Sequence, residues 1–143
     1  NFEIKECFYT HSHKNVLRGM HFQVPPHDHH KLVNVVEGQI LDVVVDLRPQ
    51  SSTFLQCKSY ELGAGKPSAV FIPKGFAHGF LSLADNSVVN YMVSAMHAPE
   101  QDRGIRWDSI DFQWPVKNPL VSPRDQVHPT IDEFKIPKEW SQL

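Results

Sequence analysis

The sequence predicts an all-β fold, a sandwich or barrel of short strands with a loop-rich C-terminal segment. Residues 39–47 alternate strictly, with Leu41, Val43, Val45 and Leu47 on one face and Ile40, Asp42, Val44 and Asp46 on the other, the two-residue period of a strand. Turn signals built from Gly, Pro, Asn and Ser separate short apolar runs at even spacing, as in sandwiches and barrels. No stretch holds a convincing helical period. Taken in order, Glu6–Thr10 is a short strand in an otherwise aperiodic start. Val16–Gln23 is a strand, broken by Pro25-Pro26, which forces a turn. Lys31–Val36 is β-branched, and Glu37-Gly38 reads as the turn of a hairpin into a half-buried strand over 39–47. A loop at 48–52 leads to a strand over Thr53–Leu62. The turn Gly63-Ala-Gly-Lys-Pro precedes a short strand, Ser68–Pro73, and Val88–Ala95 follows a polar turn at 84–87. Beyond it Trp107, Trp114 and Trp140 lie among prolines and charges, an ordered loop wrapping the barrel, with a helical scrap or frayed tail at Glu139–Leu143.

A chain of 143 residues makes one domain, here 1–143, with room for a sizeable core. The net charge of −2, with both signs scattered, offers no basic stripe for nucleic acid, and no apolar run approaches the length that spans a membrane. The first residues lack the pattern of a signal peptide. Cys7 and Cys57 show no metal or redox spacing; they read as buried or half-buried structural thiols of a cytoplasmic protein.

Of nine histidines, four (His21, His27, His29, His30) crowd into 18–31 together with Arg18 and Lys31. Alternation puts Arg18 and His21 on opposite faces of their strand, unless a bulge, for which Gly19 is suited, brings them together. An imidazole titrates near neutral pH, as a general base must. Asp125 is a remote candidate for the carboxylate that would orient it. Lysine is ordinarily a solvated surface residue, but Lys31 opens an apolar strand beside the histidine run, where its cation would stabilise a developing enolate oxygen. Arg18 suits a phosphate or carboxylate, or a surface ion pair. Tyr91 is a general acid or a packing residue. A metal reading competes: His27-Asp-His29 and His78 supply three imidazoles for iron, manganese or zinc. However, Val33 stands where the glutamate of metal-binding cupins would follow. Without that carboxylate the metal reading weakens, no metal is expected, and His27, His29 and His30 read best as loop residues at a pocket mouth.

Further stretches extend this pattern: Val-Leu-Arg-Gly-Met-His-Phe-Gln (16–23), Lys-Leu-Val (31–33), Gly-Gln-Ile-Leu-Asp-Val-Val-Val-Asp-Leu-Arg (38–48) and Ser-Ser-Thr-Phe (51–54). Then come Phe-Ile-Pro-Lys-Gly-Phe-Ala-His-Gly-Phe (71–80), Ala-Pro-Glu (98–100), Gly-Ile-Arg-Trp-Asp (104–108) and Pro-Leu-Val-Ser-Pro-Arg-Asp (119–125). In this order they resemble the nucleotide-sugar epimerases typified by dTDP-4-dehydrorhamnose 3,5-epimerase, over most of residues 16–125. The resemblance implies a cupin jelly-roll barrel, usually a homodimer, needing neither metal nor organic cofactor. It implies inversion of C3, C5 or both in an NDP-4-keto-6-deoxyhexose, by proton abstraction to an enolate and reprotonation from the other face. His21 resembles the base, Asp125 its carboxylate partner, Lys31 the enolate stabiliser and Tyr91 the opposing proton donor. Arg18 would lie near the diphosphate or sugar. Gln23, His78 and His97 would join it in binding substrate, His97 by stacking.

The chain departs from the family pattern in starting without much of its N-terminal region, in carrying Met96-His97 where many members have a tyrosine before Ala-Pro, and in its histidine-rich 25–30 loop. Two rival activities remain, a sugar-nucleotide 3,4-ketoisomerase and a metal-dependent cupin on His27, His29 and His78. A non-catalytic sugar-binding module is the third alternative.

Overall fold

The computed structural model describes residues 2–66 and 68–143. Eight strands form the body: β1 (Glu6–Ser12), β2 (Val16–Gln23), β3 (Lys31–Glu37), β4 (Gln39–Asp46), β5 (Cys57–Gly63), β6 (Ala69–Ile72), β7 (Phe76–Ser82) and β8 (Ser87–Val93). Two short strands, β9 (Asp102–Gly104) and β10 (Leu120–Val121), a one-turn helix α1 (Pro123–Gln126) and a 3-10 turn (Lys138–Gln142) follow. One sheet runs β1-β8-β3-β6, and the other runs β10-β2-β7-β4-β5, with β9 beside β2. This is the jelly roll that the family resemblance implies, one form of the sandwich or barrel that the turn spacing predicts.

The hairpin expected across Glu37-Gly38 does not form. β3 pairs with β6 and β8, whereas β4 pairs with β5 and β7, so the chain crosses between sheets at Gly38. That glycine has φ +76°, and a β-carbon on it would run into Asn86 and Ser87. The Thr53–Leu62 expectation also shortens. Residues 53–55 form a turn, because Asp46 accepts the Thr53 hydroxyl (2.7 Å) and the Arg48 guanidinium (2.8 Å for both bonds). Polar side chains outcompete the strand ladder there.

Nor is β4 half-buried. One face packs in the cluster of Val33, Ile40, Val44, Ile72, Phe80 and Val89 between the sheets. Its other face, Val43 and Val45, lies with Met20, Phe22, Ile105 and Trp140 beneath the C-terminal segment. The wrapping segment is thus a second core rather than a cover. Trp140 is buried and its indole N–H donates to Asp28 Oδ2 at 3.1 Å; its removal is worth about 3–5 kcal/mol. Both cysteines are free, and Cys7 is exposed rather than buried. Among the described residues no helix is long and apolar enough to cross a membrane.

Candidate active site

Two glycines shape the site. Arg18 pairs with Phe80 and His21 with His78, so three steps along β2 match two along β7. That extra residue is a bulge, and it switches the alternation so that Arg18 and His21 line the same pocket. Gly19 sits at φ +133°, and a β-carbon there would lie 2.6 Å from the Cα of Gly79. Only glycine opposite glycine lets the two backbones approach this closely.

α1 supplies the partner of His21. Ser122 caps it, accepting the Asp125 N–H at 3.1 Å, with Pro123 in the first turn. Asp125 Oδ1 lies 2.6 Å from His21 Nε2, and Oδ2 accepts the Gly19 N–H at 3.0 Å. Burial by itself would raise the Asp125 pKa; the bond and charge of His21 and the Gly19 amide outweigh it and hold the carboxyl below its ordinary range. An ionised carboxylate only accepts hydrogen bonds. Nε2 therefore carries the proton, and Nδ1 keeps the ring's free lone pair.

Lys31, at the start of β3, reaches across to donate from Nζ to the His21 carbonyl at 3.2 Å. Burial lowers its pKa to about 8, against the opposing pull of Asp102 and Asp42. Tyr91 on β8 stacks on Phe8 at 4.8 Å. Burial, reinforced by Asp42, pushes its pKa well above the usual value despite the Thr10 hydroxyl, so the phenol stays protonated. Arg18 donates from Nε to Ser12 Oγ (2.9 Å) and from Nη2 to the His11 carbonyl (3.0 Å).

Arg18, His21, Lys31 and Tyr91 line one pocket of about 270 Å³, a volume just under the usual range of small-molecule sites, and Asp125 adjoins it through His21. His78 also lines it, but its Nε2 is bound to the buried Asp42 at 2.6 Å. His97 lies at the rim, its backbone N–H donating to Glu6 at 2.8 Å. Gln23 lines the wall too, yet its amide ties loops together: Nε2 donates to the His27 carbonyl and Oε1 accepts the Ala98 N–H, both at 2.7 Å.

The structure does not gather the metal set of the rival reading. His27 is exposed in the turn, His29 Nδ1 accepts from Gln23 at 3.0 Å, and His78 is committed to Asp42. His29 lines the pocket with its pKa lowered to about 3 by burial and Lys31, while His30 stacks on Phe71. Sequence reasoning missed Asp42, Phe8, Thr10 and His128 around the site. Asp42 carried a signal, a carboxylate amid an apolar run on β4; the other three gave none.

Comparison with known proteins follows the same lines. The family profile described as dTDP-4-dehydrorhamnose 3,5-epimerase matches residues 1–133. The chain is 43% identical to the Shigella flexneri protein of that name, covering 80% of this chain and 64% of the relative. The Escherichia coli protein of the same name is 41% identical over 88% of this chain and 70% of its own length. The chain thus spans about two thirds of these relatives. Among solved structures, the Bacillus anthracis dTDP-4-dehydrorhamnose 3,5-epimerase with TDP and PPi bound superposes with a TM-score of 0.89 at 35% identity, covering 91% of this chain and 76% of that one. The Legionella pneumophila dTDP-6-deoxy-D-glucose-3,5-epimerase, in complex with dTDP-4-keto-L-rhamnose, gives 0.89 at 31% identity, over 94% and 72%. The jelly-roll architecture, the ordered motifs and these matches agree, and the chain belongs to the dTDP-4-dehydrorhamnose 3,5-epimerase family.

Proposed function

We propose that the protein is a cofactor-independent epimerase of a nucleotide-linked 4-keto-6-deoxyhexose, inverting C3, C5 or both. The observation that carries this reading is that His21, backed by Asp125, lines one pocket together with Lys31 and Tyr91. A ketone at C4 acidifies the hydrogens at C3 and C5. His21 Nδ1 takes one of them, while Asp125 holds the ring in the necessary tautomer and stabilises the imidazolium that results. Lys31 stabilises the negative charge that develops on the C4 oxygen. The Tyr91 phenol, kept protonated by burial, returns a proton to the opposite face. Arg18 binds the diphosphate or the sugar, with His78, Gln23 and His97 along the wall and rim.

The substrate class is also that of relatives, one of which was solved with dTDP-4-keto-L-rhamnose. The test is NMR of dTDP-4-keto-6-deoxyglucose in deuterated buffer. Deuterium entering C3 and C5 supports the double epimerase, and deuterium at C3 alone a 3-epimerase. No exchange with this or with GDP- and CDP-linked analogues sinks the reading.

The working protein is proposed to be a cytoplasmic homodimer. The outer face of the first sheet presents Tyr9, Val36 and Phe71 to solvent at 74%, 60% and 49% exposure. The neutral Asn34 and Asn90 hydrogen-bond to each other on the same face at 3.1 Å. A largely apolar sheet face of this kind, with Glu37 opposite Val88 as its acidic group, marks an association surface. Sedimentation should give twice the chain mass, and Val36→Lys should give monomers; a wild-type monomer at assay concentration counts against the dimer.

A further inference from the structure

His128, outside the machinery proposed above, completes a cluster that the acid–base chemistry does not require. Its ring occupies a slot that exists because residue 104 is glycine: a β-carbon on Gly104 would collide with the imidazole. Gly104 is the register partner of His21 across β9 and β2, so the slot brings the two rings together, 5.8 Å apart and nearly perpendicular. His128 Nε2 lies 3.4 Å from Asp125 Oδ1. This nitrogen is buried and has no hydrogen-bond partner, an arrangement that native structures seldom leave unexplained.

We propose that His21, Asp125 and His128 form a capture site for a divalent transition-metal ion, with Zn²⁺ the best fit, and that metal occupancy excludes the base form of His21. One nitrogen or oxygen atom from each residue lies within 4.8 Å of the other two. Ligands at Zn²⁺ bond lengths of about 2.0–2.2 Å stand roughly 3.4 Å apart around a tetrahedral ion. The His128–Asp125 separation already has that value. The 2.6 Å between His21 and Asp125 lengthens when the metal replaces the proton between them. Two imidazoles and a carboxylate are a donor set that zinc accepts, with the fourth position left to a water or hydroxide. The second carboxylate oxygen remains held by the Gly19 amide, which orients the ligand.

The exclusion follows from the imidazole's two nitrogens. Without metal, Nε2 carries the proton and Nδ1 the lone pair. A metal on Nε2 takes that proton's place, and the ring, still neutral, carries its single proton on Nδ1 instead. No lone pair is left to attack a C–H bond, and binding to the neutral ring releases no net proton. Trace zinc is thus a reversible inhibitor of this chain, through a residue, His128, that catalysis itself does not call on.

The test begins with the full chain stripped by EDTA and titrated calorimetrically with ZnCl₂, and with Co²⁺ followed by visible absorption. One ion per chain and an intense tetrahedral Co²⁺ band are expected. His128→Gln should weaken Zn²⁺ binding beyond the roughly 10–100-fold that loss of a mere supporting hydrogen bond produces, whereas the double variant His27→Ala/His30→Ala should bind as wild type. A weak octahedral Co²⁺ spectrum, or affinity unchanged in His128→Gln, overturns the site; loss of affinity in the double variant relocates the ion to the 27–30 turn and overturns it equally. If His128→Gln does not fold, the Co²⁺ band of the unaltered protein decides alone. These readouts need no turnover and stand apart from the epimerase reading. Inhibition of deuterium exchange by Zn²⁺, reversed by EDTA, rests on that reading, and metal-insensitive exchange with the ion bound would refute the exclusion.

Discussion

Asp125 holds the Gly19 amide through Oδ2 at 3.0 Å while its Oδ1 faces His21, so one carboxylate fixes both the bulge and the imidazole that the bulge redirects. Its two roles can be separated by substitution. Asp125→Asn keeps an acceptor for Gly19 but turns the other contact into an amide that no longer enforces the Nε2–H tautomer. We expect kcat to fall by roughly 10²–10⁴ with KM little changed, read as the rate of deuterium entry. Asp125→Ala should in addition cost about 1–3 kcal/mol of stability, measured by urea denaturation. Wild-type exchange in Asp125→Asn would remove the carboxylate from the mechanism.

Gly19→Ala tests the bulge directly. At φ +133°, with a β-carbon 2.6 Å from the Gly79 backbone, alanine is excluded by both conformation and space. The expected loss is at least about 1–3 kcal/mol from the backbone alone, seen as a lower melting temperature together with loss of exchange activity. An unchanged melting point would mean that the close approach of β2 and β7 is not required.

The pH dependence turns on Lys31. Its folded pKa of about 8 lies below its ordinary value of 10.5, so between those values the unfolded chain binds more protons than the folded one. Stability attributable to this group therefore rises with pH across that window and is flat below it. Activity should move the other way, declining as the ammonium is lost above about pH 8. Lys31→Met should be inactive and should lack the rise in stability; Lys31→Arg, where it folds, should carry the alkaline limb of kcat/KM to higher pH. A limb that stays in place in Lys31→Arg would assign it to another group.

Tyr91→Phe retains the ring that stacks on Phe8 and removes only the hydroxyl. Abstraction by His21 should continue, so substrate should still exchange hydrogen for deuterium. Formation of the inverted sugar should drop by about 10²–10⁴. Equal losses in exchange and inversion would place Tyr91 in binding rather than proton return.

How much of this was legible in the sequence depends on the range of the interaction. β2 matches its predicted span, because alternation and the Pro25-Pro26 break are local. The hairpin at Gly38 was misread because a positive-φ glycine serves a crossing between sheets as well as a tight turn, and only the long-range pairing of β3 with β8 separates the two. The face of β4 that carries Asp42 and Asp46, polar by alternation, packs between the sheets with Ile40 and Val44, while the all-apolar face is covered by Trp140 and Ile105, from a stretch without any periodicity. His21, Lys31 and Tyr91 stood out by residue type and placement, and Asp125 by its motif. His128 carried no signal, because its position depends on the missing side chain of Gly104 on another strand.

Strand β4 is hydrogen-bonded along both edges and covered on both faces. Its amide protons can reach water only when both cores open, so their exchange clocks the unfolding of the whole molecule. The pocket-forming ends of β2, β3 and β8 lean on this strand without sharing its enclosure. Ligands that tighten the pocket will therefore slow exchange at Arg18, Lys31 and Tyr91 long before they are felt at Val43 or Val44, and comparing the two sets separates a change in the site from a change in the fold.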